Sequence, residues 1–168
     1  MNKGIDSGSG KIIIPASKQA SKQASKHGTA IFTSNSDEYS TPDDLYNSLD
    51  LEFDFNLDPC ATDENHKCSL YFTMESDGLA QNWAGMRVFC NPPYSKISDW
   101  VRKCYMESLK EGTVVVMLIP ARTDTKYFHD YILHRSEIRF IRGRLKFGNE
   151  KNNAPFPSMI VIFRAAKM

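Results

Sequence analysis

Residues 87–101 read "RVFCNPPYSKISDWV". Arg87 to Cys90 have the composition of a buried strand. Two consecutive prolines then remove two backbone donors and fix two φ angles. Asn91, ahead of them, is driven towards an extended conformation. Asn91-Pro92-Pro93-Tyr94 is therefore a stiff loop at a strand end, carrying one side-chain amide and one aromatic ring. From Lys96 onward the apolar residues are Ile97, Trp100, Val101, Cys104, Tyr105 and Leu109, which is helical spacing, and Gly112 stops it. "TVVVMLIP" (113–120) follows, a continuous apolar run of strand length that reads as a central strand covered on both faces. Strand, stiff loop, helix and buried strand in this order predict an α/β fold with parallel strands.

Upstream, "STPDDLYNSL" carries a helix start. Thr41 can cap, Pro42 suits the first helical position, and Asp43 and Asp44 place negative charge in the first turn. "FDFNLD" alternates and predicts a strand ending at Asp58. "DPCATDENHKC" is a loop with room for a short helix, "LYFT" a short strand, and "ESDGLAQNWAG" a loop with a helical turn. Downstream, "DTKYFHDYILH" predicts a helix, and "EIRFI", "GRLKF" and "SMIVIFR" predict three strands. The expected sheet is mixed and mostly parallel, with antiparallel strands at the C-terminal end. Ligands of such sheets bind beyond the carboxyl ends of the strands. Asp58 and Asn91 both stand at such ends, which predicts one cleft.

The chain has 168 residues, enough for one domain with a real core. Residues 1–37 differ from the rest: "ASKQASKQASKHG" repeats a short unit with no apolar face, and the segment reads as a flexible basic tail. The folded domain is expected over 38–168. Net charge is +1, but residues 122–151 gather Arg122, Lys126, Arg135, Arg139, Arg142, Arg144, Lys146 and Lys151. Such a stretch is either a footprint for a polyanion or a solvated face. The four cysteines form no C-x-x-C pair and the four histidines complete no zinc pattern, so no metal is expected. Reduced thiols and the lack of an 18-residue apolar run predict a cytoplasmic protein away from membranes.

An aromatic amine is a poor nucleophile because its lone pair is delocalised into the ring. Two fixed acceptors aimed at its N–H groups draw the lone pair back onto nitrogen. The Asn91 side-chain oxygen and the Pro92 carbonyl are candidates, held in place by the prolines. Tyr94 offers a ring on which an extruded base can stack. The plainer reading is a strand-ending Pro-Pro turn with a core tyrosine.

The chain resembles the phage-type DNA N6-adenine methyltransferases, the Dam family of phages, over about residues 38–164. The resemblance rests on "STPDDLYNSL", "FNLDPCATDENHKC", "DGLAQNW", "VFCNPPYSKISDWV", "VVVMLIPARTDTKYF" and "IRGRLKFGNEKNNAPFPSMIVIF" in this order. It implies a Rossmann-like, S-adenosylmethionine-dependent enzyme that methylates adenine in double-stranded DNA. It implies that Asn91, Pro92, Pro93 and Tyr94 are the catalytic loop. It also implies donor contacts from Thr41 and Pro42, from Asp58 and Pro59, and from Asp77. Arg122, and Arg144 in "GRLKF", would meet nucleic acid. Plainer readings stand beside these: a helix cap for Thr41, a cap or turn for Asp58, a turn for Asp77-Gly78, and surface ion pairs for both arginines. "DPCATDEN" lacks the glycine-rich donor loop of such enzymes. Asp63 and Glu64 are candidates for a ribose acid, and solvated loop residues otherwise. Trp83 and Trp100 read as packing residues, and Phe147 as a core or a stacking residue. RNA adenine, protein glutamine, or binding without catalysis remain alternatives.

Overall fold

The computed structural model describes residues 39–148 and 151–165. The expected tail, residues 1–37, lies outside the described residues. The elements in chain order are α1 (Asp43–Phe53), β1 (Arg87–Cys90), α2 (Ile97–Ser108), β2 (Val114–Pro120), β3 (Glu137–Phe140) and β4 (Ser158–Arg164).

The strands form one sheet in the order β1-β2-β4-β3. β1 and β2 are parallel, while β2–β4 and β3–β4 are antiparallel. β2 therefore has a partner on each side, and alternate residues face opposite layers. Val115, Met117 and Ile119 pack with Trp100, Val101 and Cys104 of α2, together with Met159, Val161 and Phe163 of β4. Val116 and Leu118 pack with Tyr46, Leu49 and Phe53 of α1, together with Ile160 and Ile162. Both faces are covered, which is why "TVVVMLIP" is apolar without alternation.

Several elements differ from the sequence reading. The sheet is mixed, but only one of its three ladders is parallel. "FDFNLD" is not a strand: its residues contribute only two single parallel bridges, Leu57 to Val88 and Asp58 to Tyr71. Phe53 belongs to α1, and Asp54 ends that helix at φ 51° with its N–H on the Asp50 carbonyl. "LYFT" likewise contributes only the Tyr71 bridge. "GRLKF" is loop. Gly143 turns it at φ 79°, and Phe147 is buried from the loop rather than from a strand. "DTKYFHDYILH" yields a short helical turn with a π-type stretch over Phe128–Ile132. "DPCATDENHKC" forms no helix.

The topology gathers loops at one end. The carboxyl ends of β1 and β2, the end of β3 and the start of β4 all lie there, because β4 runs against its neighbours. The bridges bring Asp58 and Tyr71 to the same end.

Candidate active site

β1 delivers Asn91, and the prolines carry the chain into a single tight turn, Tyr94–Lys96, that starts α2. The Pro93 carbonyl accepts from Lys96 N at 3.1 Å. Asn91 Nδ2 donates to the Tyr39 carbonyl at 2.6 Å and to Thr41 Oγ1 at 3.0 Å. A carbonyl can only accept, so the atom facing Tyr39 is the amide nitrogen. Both amide hydrogens are then committed, and Oδ1 is the atom turned away from Tyr39 and Thr41.

Thr41 does not cap α1. Pro42 holds the cap position, one residue outside the helical position expected for it, and the helix has no side-chain cap. The Thr41 side chain is buried at 6% exposure against Asn91.

The segment 39–41 crosses the site and ties three loops together. Besides the bonds to Asn91, Ser40 Oγ accepts from Asn65 Nδ2 at 2.8 Å and the Ser40 carbonyl from Gly148 N at 2.9 Å. The Tyr39 ring stacks on Tyr94 at 5.4 Å and contacts Phe147 and Phe156 at 4.7 and 5.4 Å. Tyr94 also meets Phe156 edge-on at 5.6 Å. Its hydroxyl is buried with no hydrogen-bond partner among the described residues. Burial raises its phenol well above the usual range, Tyr39 adding to this and Arg122 opposing it.

Asp58 is buried at 6% exposure. Its two oxygens accept from Cys60 N at 3.4 Å and Lys67 N at 2.9 Å, closing the loop between them. Burial pushes its carboxyl up to about 6, against the lowering effect of the two backbone donors. Cys60 links this loop to Asn91, its thiol lying 3.3 Å from the Asn91 carbonyl and 3.6 Å from Cys90 Sγ. Burial raises both thiols, so they are packing groups rather than nucleophiles.

Asp77 sits at φ 50° with an exposed side chain. Gly78 beside it presses on Pro59: a Cβ there would stand 2.0 Å from the Pro59 carbonyl oxygen. Asp58-Pro59 and Asp77-Gly78, distant in sequence, are thus in direct contact. Trp83 and Trp100 pack at 6.3 Å, Trp83 Nε1 donating to the Gly78 carbonyl at 3.0 Å.

A family profile described as DNA N-6-adenine-methyltransferase (Dam) matches residues 28–168. The chain belongs to this family. The DNA N-6-adenine-methyltransferase of Haemophilus phage HP1 is 30% identical over 138 residues, 77% of this chain and 80% of that protein. The DNA N-6-adenine-methyltransferase of Escherichia phage T1 is 30% identical over 111 residues, 65% of this chain and 46% of that protein.

In this Dam-family chain, the residues singled out from sequence fall into two groups. Asn91 touches Thr41 directly and the Asp58 loop through Cys60, and Pro59 touches Gly78, while Pro42 and Asp77 join only as chain neighbours of these. Arg122 and Arg144 are exposed on the loops after β2 and β3. Among the described residues, Arg122, Arg142, Arg144 and Lys146 carry no ion pair, whereas Lys126 pairs with Asp130 and Arg139 with Glu52 and Glu137. The basic stretch thus has a paired part and a free part. Asp63 accepts from the Tyr71 hydroxyl at 2.8 Å, which occupies it within its own loop.

Sequence reading missed Tyr39 and Phe156. Tyr39 acts here through its backbone carbonyl and its ring, and only its place two residues before Thr41-Pro42 marks it. Among the described residues no helix is long and apolar enough to cross a membrane, and no His, Cys, Asp or Glu cluster could hold a metal.

A methyl donor brings a cation and polar ends that need acceptors. The Asp77 carboxylate is exposed without a side-chain partner among the described residues, while the Asp58 oxygens each take one donor and retain capacity for more. The acceptor chemistry fits the group, without a glycine-rich cradle.

Proposed function

We propose that this chain transfers a methyl group from S-adenosylmethionine to the exocyclic N6 amine of adenine in double-stranded DNA, using Asn91, Pro92, Pro93 and Tyr94. The observation that supports this reading is the anchored Asn91 amide, whose nitrogen is held by Tyr39 and Thr41, which leaves Oδ1 as the atom turned away from them. Family membership supports the reaction class. The strand–helix–strand unit and the loops gathered at strand carboxyl ends support a Rossmann-like methyltransferase fold, with 38–168 as one unit.

Asn91 Oδ1 accepts one N6–H and the Pro92 carbonyl the other. Together they localise the amine lone pair on nitrogen before bond formation, and the stiff loop keeps the cost of reorganisation low. The face of the Tyr94 ring that Tyr39 leaves open would hold the extruded base by stacking. S-adenosylmethionine, when bound, would supply an electrophilic methyl on a sulfonium sulfur, the S–C bond breaking as the N–C bond forms and the sulfur leaving as a neutral thioether. Asp77 would accept from the donor's adenine amine, and the Asp58-Pro59 loop would meet its methionine or ribose end. After transfer the nitrogen carries an extra, acidic proton, which the same two acceptors hold until solvent removes it. Arg122 and Arg144 would hold phosphates of the duplex.

The test is methyl transfer from labelled donor to unmethylated duplex DNA, followed by digestion to nucleosides and mass spectrometry. N6-methyladenine is expected, with a fall of about 10²–10³ in rate for Asn91→Ala. Absence of any methylated nucleoside from DNA would overturn the proposal.

A further inference from the structure

Thr41 stands where a donor contact or a helix cap was expected, yet its hydroxyl serves neither the helix nor open solvent. It lies at 3.0 Å from Asn91 Nδ2, across 50 residues of chain. An asparagine amide is nearly symmetric in shape, and a half-turn about its last torsion exchanges the acceptor for two donors. With donors facing the substrate amine, the site would repel the N–H groups that it must accept. Two separate tasks follow: the polarity of the amide must be fixed, and so must its plane.

The Tyr39 carbonyl performs the first task, because a flipped amide would set oxygen against oxygen at 2.6 Å. It cannot perform the second alone, since one hydrogen bond leaves the amide free to swing about it. The Thr41 hydroxyl engages the other N–H and completes a two-point hold. The segment is itself fastened on both flanks through Ser40, by Asn65 and by Gly148, so the hold is rigid.

We propose that Thr41 is a positioning residue for Asn91, fixing the plane of its amide so that Oδ1 faces the substrate amine, and that it is not a contact of the methyl donor. This rests on the methyl-transfer reading above.

The experiment compares Thr41→Val, which keeps the shape and loses the hydroxyl, with Thr41→Ser, which keeps the hydroxyl. Thr41→Ala is the second hydroxyl-free variant, should the valine variant be insoluble. Steady-state kinetics on duplex DNA are expected to give a fall of about tenfold in kcat for Thr41→Val, one hydrogen bond's worth, with KM for the donor within about twofold of wild type. Thr41→Ser should restore kcat. An unchanged kcat, or a loss carried by the donor's KM, would overturn the proposal. A second readout does not depend on the reaction. In ¹⁵N-labelled protein, the Asn91 side-chain amide signals, assigned by their loss in Asn91→Ala, should exchange slowly with water. In Thr41→Val one of the two protons should exchange faster. Fast exchange in the wild type, or exchange indifferent to Thr41, would overturn the proposal even if the protein methylates adenine. Slow exchange beside an absence of DNA methylation would uphold the positioning and reject the proposed reaction.

Discussion

Asn91 Nδ2 lies 2.6 Å from the Tyr39 carbonyl, a hydrogen bond joining residues 52 positions apart. It carries the polarity of the amide from one loop to another, and it brings the Tyr39 ring over Tyr94 at 5.4 Å. A backbone atom thereby sets the orientation of the side chain proposed to accept from the substrate.

Tyr94 should separate stacking from hydrogen bonding. Its hydroxyl is buried without a partner among the described residues, so Tyr94→Phe is expected to leave stability equal or raise it by about 1 kcal/mol. Tyr94→Ala removes the ring and should lower kcat/KM by about 10- to 100-fold, the worth of one base stacked on an aromatic side chain. Thermal melts and steady-state kinetics on duplex DNA check both. Equal activity losses in the two variants would contradict a stacking role.

Asp58 gives a pH signature. Its folded carboxyl is raised to about 6, above that of the unfolded chain, so the folded state holds a proton that the unfolded state releases first. Its contribution is full below about pH 4 and is lost as pH rises through about 6. The stability difference between wild type and Asp58→Asn, from urea unfolding, should therefore fall by on the order of 2–3 kcal/mol between pH 4 and pH 7. A difference that stays flat or grows with pH would count against it.

Glu107 has the opposite sign. It is 4% exposed and accepts from Trp83 N at 2.8 Å, Lys103 Nζ at 2.6 Å and Lys110 Nζ at 2.7 Å. Burial alone would raise its carboxyl, but the two lysines and the Trp83 N–H outweigh it and leave it below the usual value. Its stabilisation is present above the unfolded value and is lost as pH falls through the folded one. Glu107→Ala strands a buried N–H and should cost about 2–4 kcal/mol in urea unfolding at pH 7. The difference from wild type should shrink towards pH 3.

Gly78→Ala should act through Pro59. The added Cβ would meet the Pro59 carbonyl oxygen at 2.0 Å, so the two loops must separate. A loss of about 1–3 kcal/mol in stability is expected. Donor binding by calorimetry should weaken more than duplex binding does. If the two weaken equally, the contact does not shape the donor side of the site.

Arg122→Ala and Arg144→Ala should each reduce the slope of log affinity against log salt for duplex DNA by about one. Arg139→Ala, whose guanidinium is held by Glu52 and Glu137, should leave that slope unchanged. Fluorescence anisotropy across a salt series reads all three. A slope indifferent to Arg122 and Arg144 would remove them from the interface.

Local patterns made much of this fold legible. "RVFC", the Lys96–Gly112 spacing, "TVVVMLIP" and "SMIVIFR" state their own periodicity, and β1, α2, β2 and β4 follow it. "GRLKF" misleads because Leu145 and Phe147 alternate like a strand. Phe147 is buried and Leu145 partly buried from a loop, whose Leu145 carbonyl accepts from Ala154 N at 2.7 Å. "FDFNLD" misleads because Phe53 serves the end of α1, leaving too few residues for a ladder. The stiff loop Asn91–Tyr94 at the end of β1 was legible because rigidity is written in the prolines. The partner of Thr41 was not, since a hydroxyl ahead of a helix looks like a cap whether or not it acts as one. Its actual partner is 50 residues away.

The Tyr39–Thr41 segment also bears on the order of assembly. Sheet and α2 draw on residues after Arg87, and β1, α2 and β2 follow one another closely. The anchors of Asn91 come from the opposite side of α1 and must close loops of 50 and 52 residues. Contacts of such separation cost more chain entropy to close than neighbouring ones. The central β2–β4 ladder, from Pro120–Ser158 to Val114–Arg164, closes loops of nearly the same size. Pairing of the central strands and fixing of the Asn91 amide therefore face comparable entropic costs. In a refolding experiment, tryptophan burial around Trp83 and Trp100 and the return of activity should rise together.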